Sequence, residues 1–152
     1  ESNLYAGWNV AEPIVSRLSL LMSDMKIWNE QKHKRWTGVS NRRIRENLSR
    51  TAETNVPLVL RTPVIPGVND TPDEIASIAH FAASLTNLKY YELLSYHPLG
   101  LSKANALGLE MTEFEKPTRT LMKELLDVAE EAGVSVRING MRAENFAKGR
   151  DV

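Results

Sequence analysis

No cysteine occurs anywhere in the 152 residues. That excludes internal disulfides, a thiol nucleophile and any thiolate-ligated cluster held by this chain alone. Three histidines are a poor donor set for an internal zinc site. Charge of either sign is not in excess: Lys+Arg and Asp+Glu are 19 each, so no global field draws the chain to nucleic acid or anionic membrane. Long apolar runs are missing too, and nothing approaches the ~20 residues that span a bilayer. The first twenty residues are mixed and carry Glu1 and Glu12, unlike a secretory leader, so the expected location is cytoplasmic.

Hydrophobic residues make up 42% and charged residues 25%, the balance of one globular domain with a real core. The chain starts at Glu1, and a strand-like Leu4-Tyr5 precedes the first helical pattern. That arrangement is expected of a chain that begins partway through something larger.

One stretch organises the rest: Leu20–Asn41, LLMSDMKIWNEQKHKRWTGVSN. It opens as a buried strand, Leu20–Lys26. Alternate strand residues share a face, so Met22, Asp24 and Lys26 project together. An acid and a base side by side at a strand end form either a local ion pair or part of a binding site. Before this stretch, Asn9 is positioned to cap a helix with Ile14, Val15, Leu18 and Leu21 inward. After it, Glu30–Trp36 reads as a short helix stopped by Gly38. Ser40 or Asn41 then caps a helix with Ile44, Leu48, Thr51 and Ala52 inward.

Val56–Val64 is a second strand, apolar almost throughout, as in a sheet covered by helices. Pro63, Pro66 and Gly67 turn the chain. Thr71, Pro72 and Glu74 spell a capping box, followed by the stripe Ile75, Ile78, Ala79, Ala82 and Leu85. Leu88–Leu94 is a third strand, leading into a long loop, Ser95–Met111. Thr118 caps a last helix with Leu121, Leu125, Val128 and Ala132 inward, and Gly133 stops it. Val134–Ile138 is a fourth strand, and 139–152 is expected to be a polar, poorly ordered tail. Strands alternating with crossover helices give an α/β class with a parallel sheet of about four to five strands. That sheet is either doubly wound or part of a barrel.

Ligands of parallel α/β sheets sit at the carboxyl ends of the strands. Those ends carry Asp24 and Lys26, then Arg61, then Tyr96 and His97, then Arg137 and Asn139. Lys26 and Arg61 suit a carboxylate or phosphate, Asp24 a ribose diol or an ammonium, and His97 can donate or accept. A small molecule bearing carboxylate, ammonium and sugar would use all of them. Lys32, Lys34, Arg35, Arg42, Arg43, Arg45 and Arg50, offset by Glu46, form a basic stretch. It is either a solvated face or a dock for an acidic partner, and Trp36 is its one expected aromatic companion. RNA binding, which needs aromatic platforms, is not indicated.

Three stretches together resemble the glycyl-radical-enzyme activating proteins, the pyruvate formate-lyase activating type within the radical S-adenosylmethionine superfamily. They are Asp24-X-Lys26 with His33 and Thr37-Gly38-Val39-Ser40-Asn41; Arg61–Asp70; and Glu92–Gly100 with Lys103, where Ser95 replaces the usual proline. The resemblance runs from about Leu20 to Gly108. It implies a C-terminal portion, 1–138, forming half of a partial (β/α) TIM-like barrel. In that family a [4Fe-4S] cluster cleaves S-adenosylmethionine, and the resulting radical takes hydrogen from a glycine of a partner glycyl radical enzyme such as pyruvate formate-lyase. Carried over residue by residue, it implies cofactor contacts from Asp24, Met25, Lys26, Arg61 and His97. Glu1 and Met22 fall near the family's cation.

The family's Cys-X-X-X-Cys-X-X-Cys loop is absent, so this chain alone is expected to bind no cluster and to be inactive. An open edge at the first strand is expected to cause self-association. Two other readings stay open. Lys26 could serve as a Schiff-base lysine in an iron-independent aldolase-like lyase. Alternatively, the basic helix could make this a non-catalytic docking module.

Overall fold

In space the strands follow one another in chain order, and that is the fact that places everything else. The computed structural model describes residues 1–97, 106–108 and 112–148. Its elements are α1 (Trp8–Val15), β1 (Leu21–Asp24), α2 (Glu30–Thr37), α3 (Arg42–Thr51), β2 (Leu58–Val64), α4 (Pro72–Ala83) and β3 (Leu88–Ser95). They are followed by α5 (Arg119–Glu130), β4 (Val136–Ile138), β5 (Met141–Arg142) and α6 (Ala143–Ala147). The sheet is five-stranded with order β1-β2-β3-β4-β5. The first four strands are parallel, and β5 returns antiparallel to β4.

The period of two along each strand sorts the sheet into two unlike faces. Leu21, Leu58, Leu60, Val64, Tyr91, Leu93, Val136 and Ile138 lie on one face and enter a single apolar core. Ile44 and Leu48 of α3, Ile75, Ile78 and Ala79 of α4, and Met122 and Leu125 of α5 close over it. The opposite face carries a different row. Asp24 stands opposite Arg61, Arg61 opposite Glu92, and Glu92 opposite Arg137. Signs therefore alternate across four strands, the arrangement in which cross-strand neighbours attract. Glu92 is buried and accepts from the Gly140 backbone N–H at 2.6 Å, while the Arg137 guanidinium lies 3.9 Å over the Tyr90 ring.

Local signals held where they are purely local. Gly38 ends α2 at φ 78°, the left-handed conformation that glycine alone adopts without strain. Thr118 accepts from the Leu121 N–H as an N-cap should, and Pro72 opens α4. Elsewhere packing overrode the pattern. Gly7, not Asn9, precedes α1, and Ile14 points out at 62% exposure while Ala11 and Val15 are buried. On α5 the buried face is Met122, Leu125, Leu126 and Ala129, rotated from the expected stripe so that it meets α4. Of the expected inward residues only Leu125 is fully enclosed. Residues 139–148, expected as tail, hold β5, which pairs back onto β4, and α6, whose Phe146 is buried. Among the described residues no helix is long and apolar enough to cross a membrane.

Candidate functional site

Parallel pairing sets Asp24, the last residue of β1, beside Arg61, which stands midway along β2 and not at its expected carboxyl end, while Tyr96 and His97 follow the end of β3. Arg61 Nε donates to Asp24 Oδ1 at 2.9 Å, and Arg61 Nη2 makes ion pairs with Asp24, at 2.8 Å, and with Glu1. Burial works against the Arg61 charge, but the bonds to Glu1 and the field of Asp24 outweigh it, so its pKa lies above the ordinary value. The same bond, before the Coulomb field of Arg61, holds the Glu1 carboxyl below its usual range. Of the two initial readings of Asp24, the ion pair is therefore real, with Arg61 as the partner and not Lys26.

Lys26 is exposed and borders two cavities. One, of about 240 Å³, is lined by Asn3, Tyr5, Asp24, Lys26, His33, Thr37, Val39 and Ile44. The other, of about 320 Å³, is more apolar, with Ile27, Trp36, Ile65, Val68 and Phe114 around Lys26, Thr37 and Asn69. Phe114 meets both Trp36 and Tyr96 edge-on at 5.7 Å, which links the end of β3 to α2. His97 lies beyond the same end of the sheet, exposed, with Lys116 Nζ donating to its Nε2 at 3.3 Å, and lines neither cavity. Pro98, Leu99, Gly100 and Lys103 of the third motif lie outside the described residues.

Met25 is placed differently from the expected cofactor contact. Its side chain is wholly buried in the helix-covered core, and its backbone N–H donates to the Arg61 carbonyl at 2.9 Å. Met22 is half-buried on the Asp24 face. Among the described residues no group of acids and histidines could hold a metal ion, and Glu1 is engaged by Arg61.

What the sequence did not indicate is how Lys26 is held. Beyond the Met25 N–H the chain as far as Asn29 has left the sheet ladder, so its peptide groups need other partners. Thr62 Oγ1 donates to the Met25 carbonyl at 2.8 Å, and Asn69 Nδ2 to the Lys26 carbonyl at 2.6 Å. Asn41 Nδ2 donates to the carbonyls of Ile27 (2.9 Å) and Trp28 (2.6 Å). The Glu74 carboxylate accepts from the N–H groups of Trp28 and Asn29. Thr71 makes no side-chain cap, so the expected capping box does not form; Glu74 turns across to this segment instead. Asn41 likewise spends its side-chain amide here, and of the two expected caps it is Ser40 whose Oγ accepts from the Arg42 N–H at the start of α3, at 3.1 Å. The side chains that hold the segment, Thr62, Asn69, Asn41 and Glu74, are each buried. The conspicuous motifs after β2 and α2 are thus, in large part, the scaffold of the Lys26 segment.

The basic stretch is also more structured than expected. Arg43 lies over Tyr5, Arg45 over Trp28, Arg50 over Trp8 and Arg35 over Trp36, with 4.6 to 6.0 Å to the ring centroids. Trp36 is therefore not the sole aromatic companion, but each ring already carries a guanidinium of its own chain. Glu30 also offsets the charge, through Lys34 at 2.8 Å and Arg42 at 3.4 Å.

No family model matches the chain. An isethionate sulfite-lyase activating enzyme of Oleidesulfovibrio alaskensis is 44% identical over 65% of this chain and 32% of its own length. An indoleacetate decarboxylase activating enzyme of Tractidigestivibacter scatoligenes is 36% identical over 91% of the chain and 45% of its own length. Pyruvate formate-lyase 1-activating enzyme of Escherichia coli is 31% identical over 82% and 53%. A domain of a pyruvate-formate lyase-activating enzyme from Bacteroides vulgatus superposes with a TM-score of 0.74 at 25% identity, covering 91% of this chain and 78% of that one. The chain is a homologue of part of the glycyl-radical-enzyme activating proteins. It spans about a third to a half of the curated relatives it matches. A radical SAM methyltransferase from Sphaerobacter thermophilus shares the α/β fold, with a TM-score of 0.62 at 16% identity.

Proposed function

We propose that residues 1–138 are the C-terminal half of the partial barrel of a cytoplasmic activating enzyme for a glycyl radical enzyme of the pyruvate formate-lyase type, and that they supply part of its S-adenosylmethionine pocket. The observation that carries this is that Asp24 and Lys26 line one cavity while Arg61 binds Asp24 beside it. Strand order supports the barrel, because sequential parallel neighbours with helices on one face leave the other face as a lumen. The relatives' greater length also suits the β1 side of the sheet. There Val10, at 57% exposure, and Ile14 line a small apolar cavity that further βα units would cover.

The donor set fits the cofactor. Lys26 offers an ammonium to its carboxylate, and Asp24 Oδ2 has no partner among the described residues and can accept from a hydroxyl or ammonium. Arg61 fixes the Asp24 carboxylate, and the clamp on Met25–Asn29 fixes the Lys26 backbone, so the carboxylate and the root of the Lys26 side chain are in place before anything binds. His97 completes the rim from β3. The radical chemistry belongs to the cofactors of the full-length protein. This chain's residues do not fit a [4Fe-4S] cluster, having no thiolate to offer, and alone it is inactive in that reaction. The lyase alternative has less behind it, because Lys26 is exposed and not desolvated as an activated Schiff-base lysine would be.

Two measurements test the reading. In the reconstituted full-length protein, Lys26→Ala and His97→Ala each weaken S-adenosylmethionine binding by at least ~10-fold, the equivalent of one lost charged contact, while Arg50→Ala leaves it unchanged. Equal affinities for all three would remove the site. For the chain alone, Ser2 is the residue bonded to the β1 edge, through Met22, so self-association through the remaining edge is expected by light scattering at high concentration. A monomer at every concentration would contradict that.

A further inference from the structure

His33 is the one buried residue of α2, and the rim described above has no use for it. Its ring stands in the wall of the cavity that Asp24 and Lys26 also line. Nδ1 lies 2.7 Å from the Val39 carbonyl oxygen and 2.9 Å from Thr37 Oγ1. A carbonyl can only accept, so Nδ1 carries the hydrogen. Thr37 in turn donates its hydroxyl to the His33 carbonyl at 2.8 Å. With Nδ1–H committed, the bare lone pair is on Nε2. That atom has no partner among the described residues and is not among the sealed, unsatisfied ones, so it keeps accessible surface, and the cavity is the opening that its ring lines.

The ring is locked in orientation and tautomer by one nitrogen and presents the other, as second-shell bonds do for ligand-binding imidazoles. The cavity of about 240 Å³ accommodates a ligand moiety and has an ammonium, a carboxylate, a phenol and an amide on its other walls. We propose that His33 Nε2 is a further ligand contact, accepting a hydrogen bond from a hydroxyl or ammonium of the S-adenosylmethionine that Asp24 and Lys26 bind. The inference rests on the functional reading above.

The test exploits the fact that asparagine reproduces the Nδ1 position of histidine and glutamine the Nε2 position. In the reconstituted full-length protein, His33→Asn keeps the bond to Val39 and removes the distal acceptor. It weakens S-adenosylmethionine binding about tenfold, one hydrogen bond's worth, with a melting temperature close to the parent's. His33→Gln recovers part of the loss. If His33→Asn binds like the parent while Lys26→Ala does not, the role of His33 is overturned and the site stands. If both bind like the parent, the site and His33 fall together. Should His33→Asn fail to fold, nitrogen-15 chemical shifts of the parent protein decide. The Nε2 resonance moves on saturation with S-adenosylmethionine, and an unmoved resonance overturns the proposal.

Discussion

Beyond β1, the backbone from Met25 to Asn29 is held by Thr62, Asn69, Asn41 and Glu74, residues from three other parts of the chain. Beyond β3, the described backbone is held by the Tyr96 N–H on the Val64 carbonyl and by Ser95 on Asn139, and His97 faces solvent and Lys116. Each end carries a candidate ligand group, Lys26 at the first and His97 at the second. The first is held at several points by buried side chains; the second is held by few bonds among the described residues. Preorganisation lowers the cost of binding, so under the proposed reading the Lys26 segment is the better prepared of the two and His97 the less. Local stability should differ accordingly between the two ends.

The largest expected effect separates them. Asn69 is buried, donates to the Lys26 and Pro63 carbonyls at 2.6 and 2.7 Å, and accepts from the Ile65 N–H at 2.7 Å. Asn69→Ala strands those groups and costs roughly 3 kcal/mol, since each orphaned buried group costs about 1–3 kcal/mol. That lowers the melting temperature by roughly 6–12 °C in a domain of this size. His97→Ala, at an exposed position, stays within about 0.5 kcal/mol of the parent. Thermal unfolding of the two variants side by side measures the contrast, and equal melting temperatures would abolish it.

A smaller effect probes the β3 end itself. The Ser95 N–H donates to Asn139 Oδ1 at 2.9 Å, and Asn139 Nδ2 donates back to Ser95 Oγ at 3.2 Å. Proline at position 95 has no N–H to give, so Ser95→Pro forfeits both bonds, as does Asn139→Ala. Each costs about 1 kcal/mol because the pair is exposed. Asn139 sits at φ 47°, so Asn139→Ala adds backbone strain of its own, but because both substitutions remove the same contact the double variant costs less than the sum of the two singles. An additive double variant would show that the pair does not interact.

How legible all this was follows from the range of each interaction. Gly38 and Thr118 were read correctly because a helix stop or a cap is completed within a few residues. Thr71 and Glu74 carry the same local signature as a working capping box. What draws Glu74 away is the unsatisfied backbone at Trp28 and Asn29, far off in sequence. Alternation along β1 and β2 put Asp24 and Arg61 on one face, yet their pairing needed the register between strands. On α5 a second stripe spaced three and four residues apart was equally apolar, and contact with α4 chose between them. Tyr5, Trp8 and Trp28 under the arginines of α3 were invisible for the same reason: no periodicity joins residues from three different segments.

The smallest effect belongs to α2, which carries His33 between these two ends. Glu30 accepts from Ser40 Oγ at 2.9 Å and pairs with Lys34 and Arg42. Hydrogen bonding from Lys34 and then Ser40 holds its carboxyl down to about 2 from an ordinary 4.5. A depressed carboxyl contributes stability that is fully present above its unfolded pKa and lost as pH falls through the folded one. The contribution is therefore complete above pH 4.5 and disappears towards pH 2. Glu30→Gln should flatten the stability curve in that window and leave it parallel to the parent's above it. The partners are solvent-facing, Lys34 at 46% and Arg42 at 69% exposure, so the difference is small and shrinks with added salt. A difference that persists unchanged in high salt would mean that Glu30 acts through the Ser40 hydrogen bond alone, tying the loop after α2 to its start without help from the charges.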